Sequence, residues 1–153
     1  MLNESDFAHR ADGDALPAIA QKLLVIDDDT VHRMVICRIG RQAGFEVEEA
    51  ATYEAACRLL AHEDFACVTL DLALGDHGGL DVLQDLARIG FERPVIVVSG
   101  SDDEVRQEAA EVARRLGLNV CRPFQKPVKL AELRSLMHEI RKRQSVGLTP
   151  RGS

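Results

Sequence analysis

Four short runs rich in apolar residues, each stopped by a polar group, constrain this chain more than any other feature. Lys22-Leu23-Leu24-Val25-Ile26 ends in Asp27-Asp28-Asp29, and the run over residues 65–70 closes with Val68-Thr69-Leu70 and meets Asp71. Pro94-Val95-Ile96-Val97-Val98 ends in Ser99-Gly100, and a less apolar run over residues 119–125 ends in Lys126-Pro127. Unbroken Val/Ile/Leu runs are how strands read when both faces of a parallel sheet are covered. The carboxyl ends of such strands open onto the crevice where ligands bind. Each of these polar groups therefore belongs to one candidate site, and Asp71, followed by a loop of small and turn-forming residues, stands at its mouth.

Between the runs the apolar spacing becomes helical. Asp29 or Thr30 caps a helix with Val31, Met34, Val35, Ile39 and Ala43 on one face, ended by Gly44. Residues 45–50 alternate like a half-exposed edge strand, and Thr52 caps a helix that turns Ala55, Ala56, Leu59 and Leu60 inward. Leu80, Leu83, Leu86 and Ala87 form a stripe ending near Gly90. Ser101 or Asp102 caps a helix with Val105, Ala109, Val112 and Leu116 on one face, and Leu130, Leu133, Leu136, Met137 and Ile140 line the last helix. Five strands and five helices in strict alternation specify an α/β domain, a doubly wound five-stranded parallel sheet with helices on both faces.

At 153 residues the chain fits one domain. Residues 1–21, with four acids against Arg10, are predicted to be a mobile extension, residues 22–143 the folded domain, and residues 144–153 a tail. Its last six residues, Leu148-Thr149-Pro150-Arg151-Gly152-Ser153, read as the remnant of an engineered protease site. A net charge of −6 argues against nucleic-acid and membrane-surface binding, which need a basic footprint. No apolar run approaches the ~20 residues that span a bilayer, and the polar N-terminus is not a signal peptide. Cys37, Cys57, Cys67 and Cys121 lack paired C-x-x-C spacing and sit in apolar segments, so buried free thiols and the reducing cytoplasm are expected.

Asp27, Asp28, Asp71, Ser99 and Lys126 fall on one edge of the predicted sheet. Three carboxylates in one pocket repel each other unless a cation sits among them. Oxygen-only donors of this kind suit Mg²⁺. A lysine and a hydroxyl beside it are the parts that hold a transferring phosphoryl group, a reaction that needs positioning and charge neutralisation. Asp71 itself can serve as nucleophile. A cis bond is expected at Lys126-Pro127.

In this combination the chain resembles the receiver domain of two-component response regulators. Leu23-Leu24-Val25-Ile26-Asp27-Asp28-Asp29, the Asp71 strand with Gly79 eight residues on, Val97-Val98-Ser99-Gly100 and Lys126-Pro127 carry the resemblance, over roughly residues 22–142. It implies a flavodoxin-like fold and phosphorylation of Asp71 by a histidine kinase or phosphotransfer protein. Asp28, Asp71 and the backbone carbonyl of Ala73 would bind Mg²⁺ directly, and Asp27 mainly through water. Lys126 would pair with the phosphoryl oxygens, and Ser99 and Gly100 would close on them. The implied role is a signalling switch rather than an enzyme, working through a fused or separate output protein or a homodimer, without DNA or membrane contact. Arg115-Leu116-Gly117-Leu118-Asn119-Val120 with Gln125-Lys126-Pro127-Val128 is most similar to receivers fused to cyclic-di-GMP phosphodiesterase domains.

The chain also departs from the family pattern. Gly75 replaces a usual proline, which implies a more mobile loop. Pro123 occupies the place of the switch aromatic, and Phe124 is displaced to the opposite-facing position. Two alternatives are a receiver-like scaffold that is never phosphorylated and a haloacid-dehalogenase-like phosphatase using Asp27-x-Asp29. The second needs an acidic pair after Lys126, which is missing, and leaves Asp71 unexplained.

Overall fold

The main sheet runs in the order Glu46–Ala50, Lys22–Ile26, Cys67–Leu70, Val95–Ser99 and Phe124–Gln125, all parallel, and its strands are short and mostly buried. A computed structural model describes residues 21–74, 77–100 and 102–145. The first half comprises β1 (Lys22–Ile26), α1 (Thr30–Gln42), β2 (Glu46–Ala50), α2 (Tyr53–His62) and β3 (Cys67–Leu70). Next come a small antiparallel hairpin, β4 (Ala73–Leu74) with β5 (His77–Gly78), and then α3 (Gly79–Arg88) and β6 (Val95–Ser99). Helix α4 (Asp103–Arg115), β7 (Phe124–Gln125) and α5 (Leu130–Ser145) complete the chain order. This is the flavodoxin-like winding, in which the chain steps from β1 to one side and then crosses to the other. The hairpin interrupts the strict alternation expected from sequence. Of the expected extension over residues 1–21, residues 1–20 lie outside the described residues and Gln21 is buried. Of the expected tail over residues 144–153, Gln144 and Ser145 instead belong to the last helix and residues 146–153 lie outside, as do the loop mobility at Gly75 and the Ser101 cap.

The side-chain alternation of the strands divides the interior into two layers. Leu23, Val25, Cys67, Ile96, Val98 and Phe124 face α1 and α5, meeting Ile36, Ile39, Leu133, Met137 and Ile140. Leu24, Ile26, Val68, Leu70, Val95 and Val97 face the other way, toward Ala56 of α2, Val82, Leu83 and Leu86 of α3 and Ala113 of α4. The helices begin as their caps dictate: Asp29, Thr52 and Asp102 each accept a backbone N–H three residues on. Gly44, Gly90 and Gly117 follow three of the helices at positive φ. Helix α5 runs through Ser145, and Gln144, wholly buried, donates to the Ala66 carbonyl at 2.6 Å. Among the described residues no helix is long and apolar enough to cross a membrane. All four cysteines are free; Cys57 is half-buried, and burial pushes the Cys37 and Cys121 thiols up to about 11.

Two helix faces differ from the sequence expectation. At the start of α1, Val31 and Met34 are exposed, at 71% and 60%, and the helix packs through Ile36, Cys37, Ile39 and Gly40. Helix α4 buries Arg106, Ala109, Ala110 and Ala113 and leaves Val105 and Leu116 exposed. Small residues let a helix lie close to a sheet, so the alanine face is the one that docks. Leu80 and Leu130, each first or second in its helix, are likewise exposed. The fifth strand is also shorter than expected. Val120 bridges Val95, but Phe124 pairs with Val98, so the edge takes four steps where its neighbour takes three. That is a bulge, and Pro123 within it has no N–H to give a ladder.

Thr69 sits fully buried in β3 with a hydroxyl that has no hydrogen-bond partner. Alternation turns it toward the apolar layer under α1 and α5. An unsatisfied buried hydroxyl costs about 1–3 kcal/mol, so Thr69→Val is expected to raise unfolding free energy by about 1 kcal/mol, read by urea denaturation.

Candidate functional site

Neighbouring strands bring the acids together. Ile26 of β1 is in register with Leu70 of β3, so Asp27 and Asp71 leave the sheet side by side. The Asp71 N–H is tied to the Ile26 carbonyl at 2.9 Å and the Asp27 N–H to Ala50 at 3.0 Å. Asp27 and Asp71 are buried and Asp28 is exposed. One carboxylate oxygen from each of the three lies within 4.8 Å of the others.

Lys126 arrives from the far edge. Its N–H donates to the Ser99 carbonyl at 2.9 Å, continuing the β6–β7 ladder, and the Lys126–Pro127 bond is cis. Its Nζ lies 3.1 Å from both Asp27 Oδ2 and Asp71 Oδ2. Ser99, the last residue of β6, is buried on the same edge; Gly100 beyond it is exposed, and a side chain there would meet nothing within 4 Å. Ala73 donates its N–H to Asp71 Oδ1 at 3.1 Å.

The sequence reading missed His32 and Arg33. His32 Nδ1 lies 2.7 Å from Asp27 Oδ2, and Arg33 Nη1 donates to the Asp27 carbonyl at 2.8 Å. Both lie in the first turn of α1, whose N-cap Asp29 belongs to the acidic loop. A polar residue three positions after such a cap can reach back over the loop, and this was the available signal.

Burial pushes the Asp71 carboxyl above its ordinary value; the Ala73 N–H and Lys126 oppose this, and neighbouring Asp27 adds to it. Burial alone would lower Lys126, but its bonds to Asp71 and Asp27 outweigh that and hold the ammonium above the ordinary lysine value. The edge therefore carries a fixed positive charge between two buried acids, with a third acid open to solvent.

The model of the response regulator receiver domain matches residues 23–138. The chain belongs to this family. Regulatory protein VirG of Rhizobium rhizogenes is 32% identical over 119 residues, covering 76% of this chain and 48% of that protein. The receiver thus spans about half the length of that relative. Two solved structures superpose on it closely. One is a response regulator from Colwellia psychrerythraea, with TM-score 0.71 and 29% identity over 82% of this chain and 99% of that one. The other is a CheY-like receiver domain protein from Methanospirillum hungatei JF-1, with TM-score 0.70 and 25% identity over 81% and 95% of the two chains. Family membership displaces the phosphatase alternative. The geometry agrees, because Asp27, the nucleophile in that alternative, is only 1% exposed and has both oxygens engaged.

The receiver's Gly79 shows why the loop after Asp71 holds its shape. A Cβ at Gly79 would fall 2.6 Å from Leu72 Cα and 2.9 Å from the Asp71 carbonyl oxygen, both backbone. Gly79→Ala is expected to push this loop away and lower stability by about 1–3 kcal/mol, seen as a lower melting temperature. Asp71 supplies a pH test. A carboxyl whose folded pKa lies above its unfolded one favours the fold below the unfolded value and loses that contribution as pH rises through the folded value. Without divalent ions, Asp71→Asn is therefore expected to melt above the wild type at neutral pH, the gap closing on acidification.

Proposed function

We propose that this receiver takes a phosphoryl group on Asp71 from a histidine kinase or phosphotransfer protein and switches its protein contacts in response. The observation that carries the reading is Lys126 Nζ held 3.1 Å from both Asp27 and Asp71 beside exposed Asp28. An Asp71 oxygen attacks phosphorus; the new O–P bond forms as the P–N bond to the donor histidine breaks, and the histidine nitrogen keeps the electron pair and takes up a proton. Lys126 is already charged and needs only to turn from the carboxylates to the phosphoryl oxygens. Buried Ser99 is placed to donate to one of them from the end of β6.

Three carboxylates within 4.8 Å, all hard oxygen donors, fit Mg²⁺. Asp28, Asp71 and the Ala73 carbonyl would hold it, with Asp27 acting mainly through water. When bound it offsets negative charge on the phosphoryl oxygens. The donor would approach in the cytoplasm over the first turns of α1 and α3, where Val31, Met34 and Leu80 are exposed. The signal would leave through α4 and β7, reaching a fused or separate output domain or a second copy of the chain. An unphosphorylated scaffold is the competing reading.

Incubation with Mg²⁺ and acetyl phosphate is expected to give a base-labile adduct on Asp71, detected by intact-mass spectrometry. Asp71→Asn and chelation with EDTA are each expected to abolish it. A wild type that no donor or kinase labels is a scaffold, whereas label surviving Asp71→Asn would return the nucleophile to Asp27.

A further inference from the structure

We infer that His32 is a positioning residue that keeps Asp27 in place when Lys126 leaves it; the inference rests on the phosphoacceptor reading of the site. In the structure Asp27 is fully buried and its two oxygens are shared among three donors. Oδ1 accepts the Asp29 N–H at 2.8 Å and the Lys126 ammonium at 3.3 Å. Oδ2 accepts from His32 Nδ1 at 2.7 Å and lies 3.1 Å from Lys126 Nζ as an ion pair. An ionised carboxylate can only accept, so the imidazole donates and its Nδ1 carries the proton.

Lys126 serves Asp27 and Asp71 at once. Its ammonium cannot turn to phosphoryl oxygens on Asp71 and keep full contact with both carboxylates. As it turns, Asp27 loses a donor on Oδ1 and the cation beside Oδ2, and only the His32 contact and the Asp29 N–H still fix the carboxylate. His32 is aimed at this one task. Its side chain is only 14% exposed, and its other nitrogen, Nε2, is buried with no hydrogen-bond partner. The ring thus engages Asp27 through one nitrogen and solvates nothing with the other. Carboxylates that hold a metal are themselves oriented by such outer hydrogen bonds, and losing one weakens affinity about 10–100-fold.

Two substitutions separate the donor from the ring. His32→Phe keeps the bulk and removes the N–H; His32→Asn places an N–H near the Nδ1 position and removes the ring. Mg²⁺ affinity measured by calorimetry, and the rise in melting temperature on adding Mg²⁺ with beryllofluoride, are the readouts. His32→Phe is expected to bind Mg²⁺ about tenfold more weakly and to lose much of the beryllofluoride-induced rise. His32→Asn is expected to recover most of both, because the donor and not the ring is what matters. If His32→Phe binds Mg²⁺ and gains from beryllofluoride as the wild type does, the inference is overturned, even when its ion-free melting temperature is lower. It is equally overturned if Asn fails to recover what Phe loses. A wild type that neither binds Mg²⁺ nor labels at Asp71 refutes the phosphoacceptor reading instead, so the two failures are distinguishable.

Discussion

The contact on which the edge depends is the ammonium of Lys126 between two buried carboxylates. Left alone, Asp27 and Asp71 would repel at short range in a poorly solvated pocket, and burying either as an ion is costly. One cation shared between them offsets both, and it does so only because the register of four neighbouring strands brings it there. Ile26 pairs with Leu70, Leu70 with Val97 and Ser99 with Gln125, so Asp27, Asp71 and Lys126 follow directly from the sheet. A slip of one residue in any strand would turn its polar group to the other face. The sheet is thus a device for bringing charges together, and its two apolar layers hold that register fixed.

The same dependence explains why the edge strand can be irregular in its middle and strict at its end. Between Val120 and Phe124 the chain bulges, yet the ladder resumes in time for the Lys126 N–H to reach the Ser99 carbonyl. The extra residue has a consequence for side chains. It turns Phe124 into the layer below α1 and α5, beside Val98, Leu133 and Met137, and leaves half-buried Pro123 on the side of α4. A cleft of about 520 Å³ opens there, lined by Arg106, Gln107, Pro123, Lys126 and Lys129 among others. The space behind the lysine is bordered by Pro123, Phe124 and the buried Arg106.

The strands and the acidic edge were legible in the sequence because each rests on a local pattern: an apolar run, then a polar residue. Helix orientation was legible only where large apolar residues had no competitor, as with Leu133, Met137 and Ile140. In α4 Ala109 faces inward as expected, but its larger companions Val105 and Leu116 lost to Ala110 and Ala113, since close approach to the sheet favours small side chains over an apolar outline. Val31 and Met34 continue the apolar stripe of α1 past the point where the helix leaves the sheet, so periodicity overstated the buried face. His32 and Arg33 escaped because their partner is a loop fixed by the fold, and hydrophobic spacing does not score a polar helix residue against the loop that precedes it.

Most of these misreadings lie near the acidic edge. Val31, Met34, His32 and Arg33 are in the first turns of α1 and Arg106 borders the cleft behind Lys126, whereas Leu80 and Leu130 begin two other helices. Core positions answer to packing alone, and sequence pattern reports packing well. Residues beside the acidic edge answer to charge and to whatever approaches it, so hydrophobic pattern misleads there first. Asp28 is the exposed member of the acidic group, and the exposed residues of α1 begin just two positions after it. The acids are therefore open on the α1 side, while Lys126 borders the cleft on the other. Two faces where the sequence pattern failed, the first turns of α1 and the cleft beside Lys126, are thus two that flank the acidic edge.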